Sequence, residues 1–158
     1  MICEHCDVEW NQQMEWLLAS RPMPKPRTRD VVLVIDGDAL SRKLTGRYLN
    51  SLGWEAMLAA DGAAGLAIFR TAADTIAAVV LEYHLPDSDG ARVLRELRRL
   101  RPNVPVVVCA SHAADEVARR IPDDGVLDCL SKPFSCGQLE LAVRMAGRRR
   151  RSASKPDA

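Results

Sequence analysis

The sequence predicts an α/β domain: a doubly wound, five-stranded parallel sheet with helices on both faces, giving three layers. Three observations lead there. Five short apolar runs recur between Val31 and Leu130. Segments with a helical period of apolar residues separate them. Several runs are continuously apolar rather than alternating, as strands covered on both faces must be.

Val31–Ile35 is the first such run. Asp38 can cap the helix that follows, with Leu40, Leu44, Tyr48, Leu49 and Leu52 inward and Gly53 ending it. Glu55–Ala59 is the second strand, and Asp61 can cap a helix that buries Leu66 and Phe69. Ala77–Leu81 is the third strand. The segment Gly90–Leu100 places Val93, Leu94, Leu97 and Leu100 on one side and Arg92, Arg95, Arg98 and Arg99 on the other. Pro105–Cys109 is the fourth strand. A short fourth helix is expected over about 112–120, stopping before Pro122. Val126–Leu130 is the fifth strand. A fifth helix, Cys136–Arg148, carries Leu139, Ala142, Val143 and Ala146 as a stripe.

Ahead of this domain, residues 1–20 read as a short helix with Trp10, Met14, Leu17 and Leu18 on one face. That stripe reads as a docking surface, against this domain or a partner. Residues 21–30 form a proline-rich linker that acts as a semi-rigid spacer. Residues 31–148 make the domain, and 149–158 a basic, disordered tail.

The chain has 158 residues, a net charge of +1 and 47% hydrophobic residues, with only 4% aromatic. The core must therefore be aliphatic, and no overall charge drives the chain toward nucleic acid or membrane. No apolar run approaches the roughly 20 residues that span a bilayer. Five cysteines, an odd number, argue for reduced thiols and a cytoplasmic location. Cys3 and Cys6 have the spacing of half a zinc site, which two chains or His5 could complete.

In sheets of this kind ligands bind beyond the carboxyl ends of the strands. Those ends carry Asp36, Glu82, Ala110-Ser111 and Lys132. Two carboxylates and a lysine thus converge on one edge.

The order Val-Leu-Val-Ile-Asp36, Gly37-Asp38, Ala60-Asp61-Gly62, Leu85-Pro86, Asp89-Gly90, Pro105-Val-Val-Val108 and Leu130-Ser-Lys132-Pro133-Phe134 resembles the receiver domain of bacterial two-component response regulators. The resemblance spans about residues 31–148 and implies a flavodoxin-like fold. It further implies a phosphate-accepting aspartate after the third strand and an acidic pair holding Mg²⁺ after the first. A Ser or Thr would close the fourth strand, a switching aromatic would sit on the fifth, and a Lys would follow it through a cis-proline step.

Mapped onto this chain, Asp36 matches the first acid and Gly37 the second. Glu82 matches the phosphoacceptor, Ala110 the Ser or Thr, Cys129 the aromatic and Lys132 the lysine, with Lys132-Pro133 as the cis step. Only Asp36 and Lys132 are retained. Gly37 offers no ligand, and Asp38 should point toward its helix. Glu82 is longer than aspartate by one methylene, about 1.5 Å, and sets a fixed negative charge where phosphate would sit, facing Lys132. Ala110 has no hydroxyl and Cys129 no ring.

The pattern predicts a pseudo-receiver: an atypical single-domain response regulator acting in a phosphorelay as a phosphorylation-independent binding module, with no catalytic activity. No cofactor is required; the donor set for any Mg²⁺ would be Asp36, Asp38, Glu82 and His84. A histidine kinase, phosphorelay or output protein would bind across the fourth helix, fifth strand and fifth helix. A homodimer is compatible with the sequence, whereas membrane and nucleic-acid partners are not expected. One alternative keeps phosphate transfer from a histidine kinase, at Asp36 or Asp87, with Asp38 assisting Mg²⁺. Another reads Asp36-Gly37-Asp38, Ser111 and Lys132 as motifs of a haloacid-dehalogenase-like phosphatase. That pattern also needs an acidic pair after the lysine, and only Glu140 lies nearby.

Overall fold

The computed structural model describes residues 31–111 and 126–153. Strands β1 (Val31–Ile35), β2 (Glu55–Ala59), β3 (Ile76–Glu82), β4 (Val106–Ala110) and β5 (Val126–Ser131) form one sheet in the order β2-β1-β3-β4-β5. Every pairing is parallel. Helices α1 (Ala39–Ser51), α2 (Gly62–Ala72), α3 (Gly90–Leu100) and α4 (Cys136–Ala153) cover it. The expected doubly wound, flavodoxin-like architecture is therefore present. The short helix expected over 112–120, the segment 1–20 with Cys3 and Cys6, and the linker 21–30 lie outside the described residues.

The two faces of the sheet carry separate cores, because successive strand side chains point to opposite sides. Leu33, Ile35, Val79 and Leu81 pack with Phe69 of α2 and with Val93, Leu94 and Leu97 of α3. Val32, Val34, Val80 and Val107 pack with Leu49 of α1 and with Leu139, Ala142 and Val143 of α4. All seven residues of β3 are buried. Arg101 ties this layer down: Nη2 donates to Ile76 O at 2.8 Å, and the guanidinium lies 5.3 Å from the Phe69 ring centre.

The helix starts follow the sequence. Asp38, Asp61 and Asp89 each accept a hydrogen bond from a first-turn amide, at Ser41, Ala64 and Ala91. Gly53 follows α1 with φ 86°, a left-handed conformation that glycine adopts without Cβ strain.

Four expectations need correction. Leu40 and Leu44 do not face inward; they are 76% and 44% exposed. Helix α1 instead buries Thr45, Gly46 and Leu49. A Cβ on Gly46 would stand 3.1 Å from Leu58 Cδ2, so this side of the helix lies against β2 and the Leu40–Leu44 flank turns outward. Leu100 is 44% exposed, at the last turn of α3. Strand β4 begins at Val106 rather than Pro105, which has no N–H to donate, although its carbonyl accepts from Val79 N–H at 2.9 Å. Helix α4 continues past Arg148 to Ala153, so the arginine run belongs to a helix.

Candidate functional site

The sheet register builds the site. Ile35 pairs with Leu81, so the next residue on each strand, Asp36 and Glu82, emerges side by side. The strand order reverses between β1 and β3, the place where open α/β sheets bind ligands. Both carboxylates are buried, at 4% and 5% exposure, on an edge otherwise lined by aliphatic strands. Burial of that kind demands compensation.

Lys132 supplies much of it. Its backbone N–H donates to Ala110 O at 2.8 Å, extending the β4–β5 pairing by one residue and fixing where the side chain starts. The Lys132-Pro133 bond is cis, as the resemblance implies. Lys132 Nζ then donates to Asp36 Oδ2 at 2.6 Å and forms an ion pair with Glu82 Oε2. Half-burial of the lysine works against its charge. The hydrogen bonds to Asp36 and Glu82, and the attraction of both carboxylates, outweigh that and raise its pKa above the ordinary lysine value.

The remaining carboxylate oxygens are also engaged. Asp36 Oδ1 accepts from Asp38 N–H at 2.8 Å, and Oδ2 also accepts from the Ser41 hydroxyl at 2.7 Å. Arg42 Nη1 donates to Asp36 O at 2.6 Å. Glu82 Oε1 accepts from His84 N–H at 3.2 Å. The Asp38 carboxylate points to its helix, accepting from Ser41 N–H at 2.6 Å.

The other positions singled out from sequence fall as follows. Ala110 is buried at the end of β4, and Cys129 packs partly buried against the α2–α3 core. Cys109, deeply buried, has its thiol pKa pushed up, chiefly by burial. Ser111 and His84 are exposed. Asp87 is not a free acceptor: its two oxygens take the Gly62 and Ala63 amides, both at 2.9 Å. The Gly62 hydrogen bond leads in lowering its pKa; desolvation opposes it, and Ala63 and Ser88 add to the lowering.

Sequence reasoning missed three contributors. Ser41 and Arg42 close the Asp36 side of the site; their signal is a polar pair in the first turn after the Asp38 cap. Pro86 is the third. A Cβ on Gly37 would stand 2.7 Å from Pro86 Cδ. A side chain at the position of the second acid would therefore collide with the loop that follows β3.

These residues do not fit a divalent cation. Gly37 has no ligand, Asp38 caps α1, His84 is exposed, and a lysine ammonium already faces both Asp36 and Glu82. Among the described residues no group of three or more His, Cys, Asp or Glu side chains is placed to hold a metal. The expected Asp36–Asp38–Glu82–His84 set is thus not assembled, because the capping of α1 takes Asp38 away. The arrangement holds the Lys132 ammonium between the two carboxylates. Among the described residues it presents no open metal site, and Ala110 brings no hydroxyl toward a phosphate.

A doubly wound sheet with an acidic pair and a lysine at its switch point defines a receiver-type signalling fold. The model of the response regulator receiver domain matches residues 32–144, and the chain belongs to that family. The sensor kinase CckA of Brucella abortus is 36% identical over 115 residues, covering 72% of this chain and 12% of the kinase. The response regulator MprA of Mycobacterium avium is 36% identical over 129 residues, covering 80% of this chain and 54% of that protein. A response regulator receiver domain from Clostridium thermocellum superposes with a TM-score of 0.75 at 25% identity, covering 78% of this chain and 98% of that one. The chain thus spans a small part of the kinase and about half of the regulator. Receiver domains of this family work in two-component systems with histidine kinases and output proteins, as signalling modules. Among the described residues no helix is long and apolar enough to cross a membrane.

Proposed function

We propose that this receiver domain signals by binding a protein partner without being phosphorylated. The observation that carries this reading is the Lys132 ammonium set between Asp36 and Glu82, 2.6 Å from the former and ion-paired with the latter. A phosphoryl group needs a free acceptor carboxylate, a cation beside it and donors for its oxygens. Here the lysine is committed, Gly37 supplies no metal ligand and Ala110 no hydroxyl. Two carboxylates against one ammonium leave the cluster net negative, which opposes an incoming phosphate. Glu82 acts as a permanent charge standing in for the phosphoryl group. Cys129 has no ring to swing, so the partner face is fixed rather than switched. The partner is a histidine kinase, phosphorelay or output protein, bound through β5, α4 and the segment between β4 and β5.

Phosphorylation at Asp36 or Asp87 has little support, because both carboxylates are occupied, by Ser41 and Lys132 in one case and by the α2 amides in the other. A dehalogenase-type phosphatase requires a loop and flap after its first motif, whereas α1 begins at Ala39, immediately after Asp38.

Beryllium fluoride with Mg²⁺, followed by amide NMR of the full chain, tests the proposal. Resonances of β4, β5 and α4 should stay in place. A saturable shift across those elements would overturn it.

A further inference from the structure

The flank of α1 that turns away from the sheet forms one wall of a groove. Leu40, Leu44 and Tyr48 stand on the helix side, and Pro133 and Phe134 on the other. Its volume is about 360 Å³, within the roughly 300–1,000 Å³ of small-molecule sites. Such sites combine apolar walls with a few polar groups that fix orientation. Asp36 Oδ2 joins the two walls, accepting from the Ser41 hydroxyl at 2.7 Å and from Lys132 Nζ at 2.6 Å. The width of the groove is therefore set before anything enters it, which lowers the ordering cost of binding.

Of the described residues that line the groove, Thr45 alone is buried, at 2% exposure. A helical threonine commonly donates to a carbonyl one turn back, as the Thr71 hydroxyl does to Ile68 O at 2.9 Å. The Thr45 hydroxyl makes no hydrogen bond among the described residues. Buried polar groups find partners as a rule. An unpaired hydroxyl beneath apolar walls is thus a donor and an acceptor held ready for a ligand.

Charge decides what kind of ligand that is. Asp38 gives one carboxylate oxygen to Ser41 N–H at 2.6 Å and holds the other at an exposed position on the groove. Ser41 spends its proton on Asp36, so toward a ligand its oxygen can only accept. Lys132 is committed to Asp36 and Glu82. Counting Arg42, which donates to Asp36 O, two cations stand against the three carboxylates of Asp36, Asp38 and Glu82. Lys43 and Arg47 do not line the groove. This end is therefore net negative and favours a cation. Tyr48 and Phe134 add aromatic rings, whose faces attract organic cations. We propose that the groove binds a small organic cation, its apolar body against Leu40, Leu44 and Phe134 and its protonated amine at Asp38, with the Ser41 and Thr45 oxygens as acceptors. Bound there, it would bridge α1 and the loop that carries Lys132 from β5 to α4.

The test titrates the full chain, labelled with ¹⁵N, with phenethylammonium and in parallel with phenethyl alcohol and phenylacetate. No phosphate donor is present, so its outcome is separate from that of the phosphate experiments. The ammonium should give saturable amide shifts at Leu40, Ser41, Leu44, Thr45 and Phe134 at millimolar concentration. The alcohol should bind about tenfold more weakly, the difference between a charged and a neutral hydrogen bond, and the carboxylate more weakly still. Asp38→Asn keeps a capping side chain on α1 and removes the charge. It should bring the ammonium down to the affinity of the alcohol. Thr45→Val removes the hydroxyl and should weaken the ammonium about two- to tenfold. Equal affinity for the ammonium and the carboxylate would overturn the proposal. So would shifts that never saturate, or undiminished binding in both variants.

Discussion

A Cβ on Gly37 would stand 2.7 Å from Pro86 Cδ, closer than real contacts allow. The missing second acid is therefore coupled to the loop after β3: Pro86 occupies the space its side chain would need. Restoring the carboxylate means moving the loop.

Gly37→Ala should destabilise the domain by about 1–3 kcal/mol, the usual cost of overpacking. Pro86→Ala in the same chain should recover part of that loss. Urea unfolding of the two single variants and the double variant measures the coupling.

Lys132→Met should cost about 3–5 kcal/mol, because it leaves Asp36 and Glu82 buried side by side with no cation. Adding Glu82→Gln removes one of the opposed charges and should restore stability toward the parent chain, with a coupling of about 0.5–3 kcal/mol. Additive losses would mean that the three groups do not act as a cluster.

The pH dependence of stability separates two contacts. The Lys132 pKa is raised above the ordinary 10.5 in the fold. Its contribution is therefore complete below that value and is lost as pH rises through the folded pKa. Lys132→Met should flatten this alkaline limb. Asp87 behaves in the opposite sense. Its pKa is lowered from 3.8, so its contribution is present above that value and is lost as pH falls through the folded pKa. Asp87→Asn, which keeps an acceptor oxygen and removes the charge, should flatten the acid limb, whereas Asp87→Ala, which removes the acceptor for the Gly62 and Ala63 amides, should cost about 1 kcal/mol at neutral pH.

Glu82→Asp alone should not make the domain a phosphate acceptor. Gly37 still lacks a carboxylate and Ala110 still lacks a hydroxyl. Acceptor activity is expected only when Gly37→Asp, Ala110→Thr and an adjustment at Pro86 accompany it, as read by radiolabel transfer from a phosphorylated histidine kinase.

Much of the fold was legible because its signals are local. Continuous apolar runs marked the strands, and Asp38 and Asp61 marked two helix starts. The convergence of Asp36, Glu82 and Lys132 also followed from strand order, since parallel strands deliver their ends to one edge. What escaped depends on distances between elements. Helix α1 lays Thr45, Gly46 and Leu49 against the sheet and leaves Leu40 and Leu44 outside, a choice of face that periodicity does not make. The space that Pro86 takes beside Gly37 joins two loops far apart in sequence. The hydroxyl of Ser41 and the double acceptance by Asp87 depend on side-chain directions that periodicity does not encode.

Intact-mass analysis after incubation with acetyl phosphate and Mg²⁺ tests the central claim most directly. The parent chain should keep its mass, with Lys132 still held between Asp36 and Glu82. Stoichiometric gain of one phosphoryl group on Glu82, accompanied by amide shifts through β5 and α4, would contradict it.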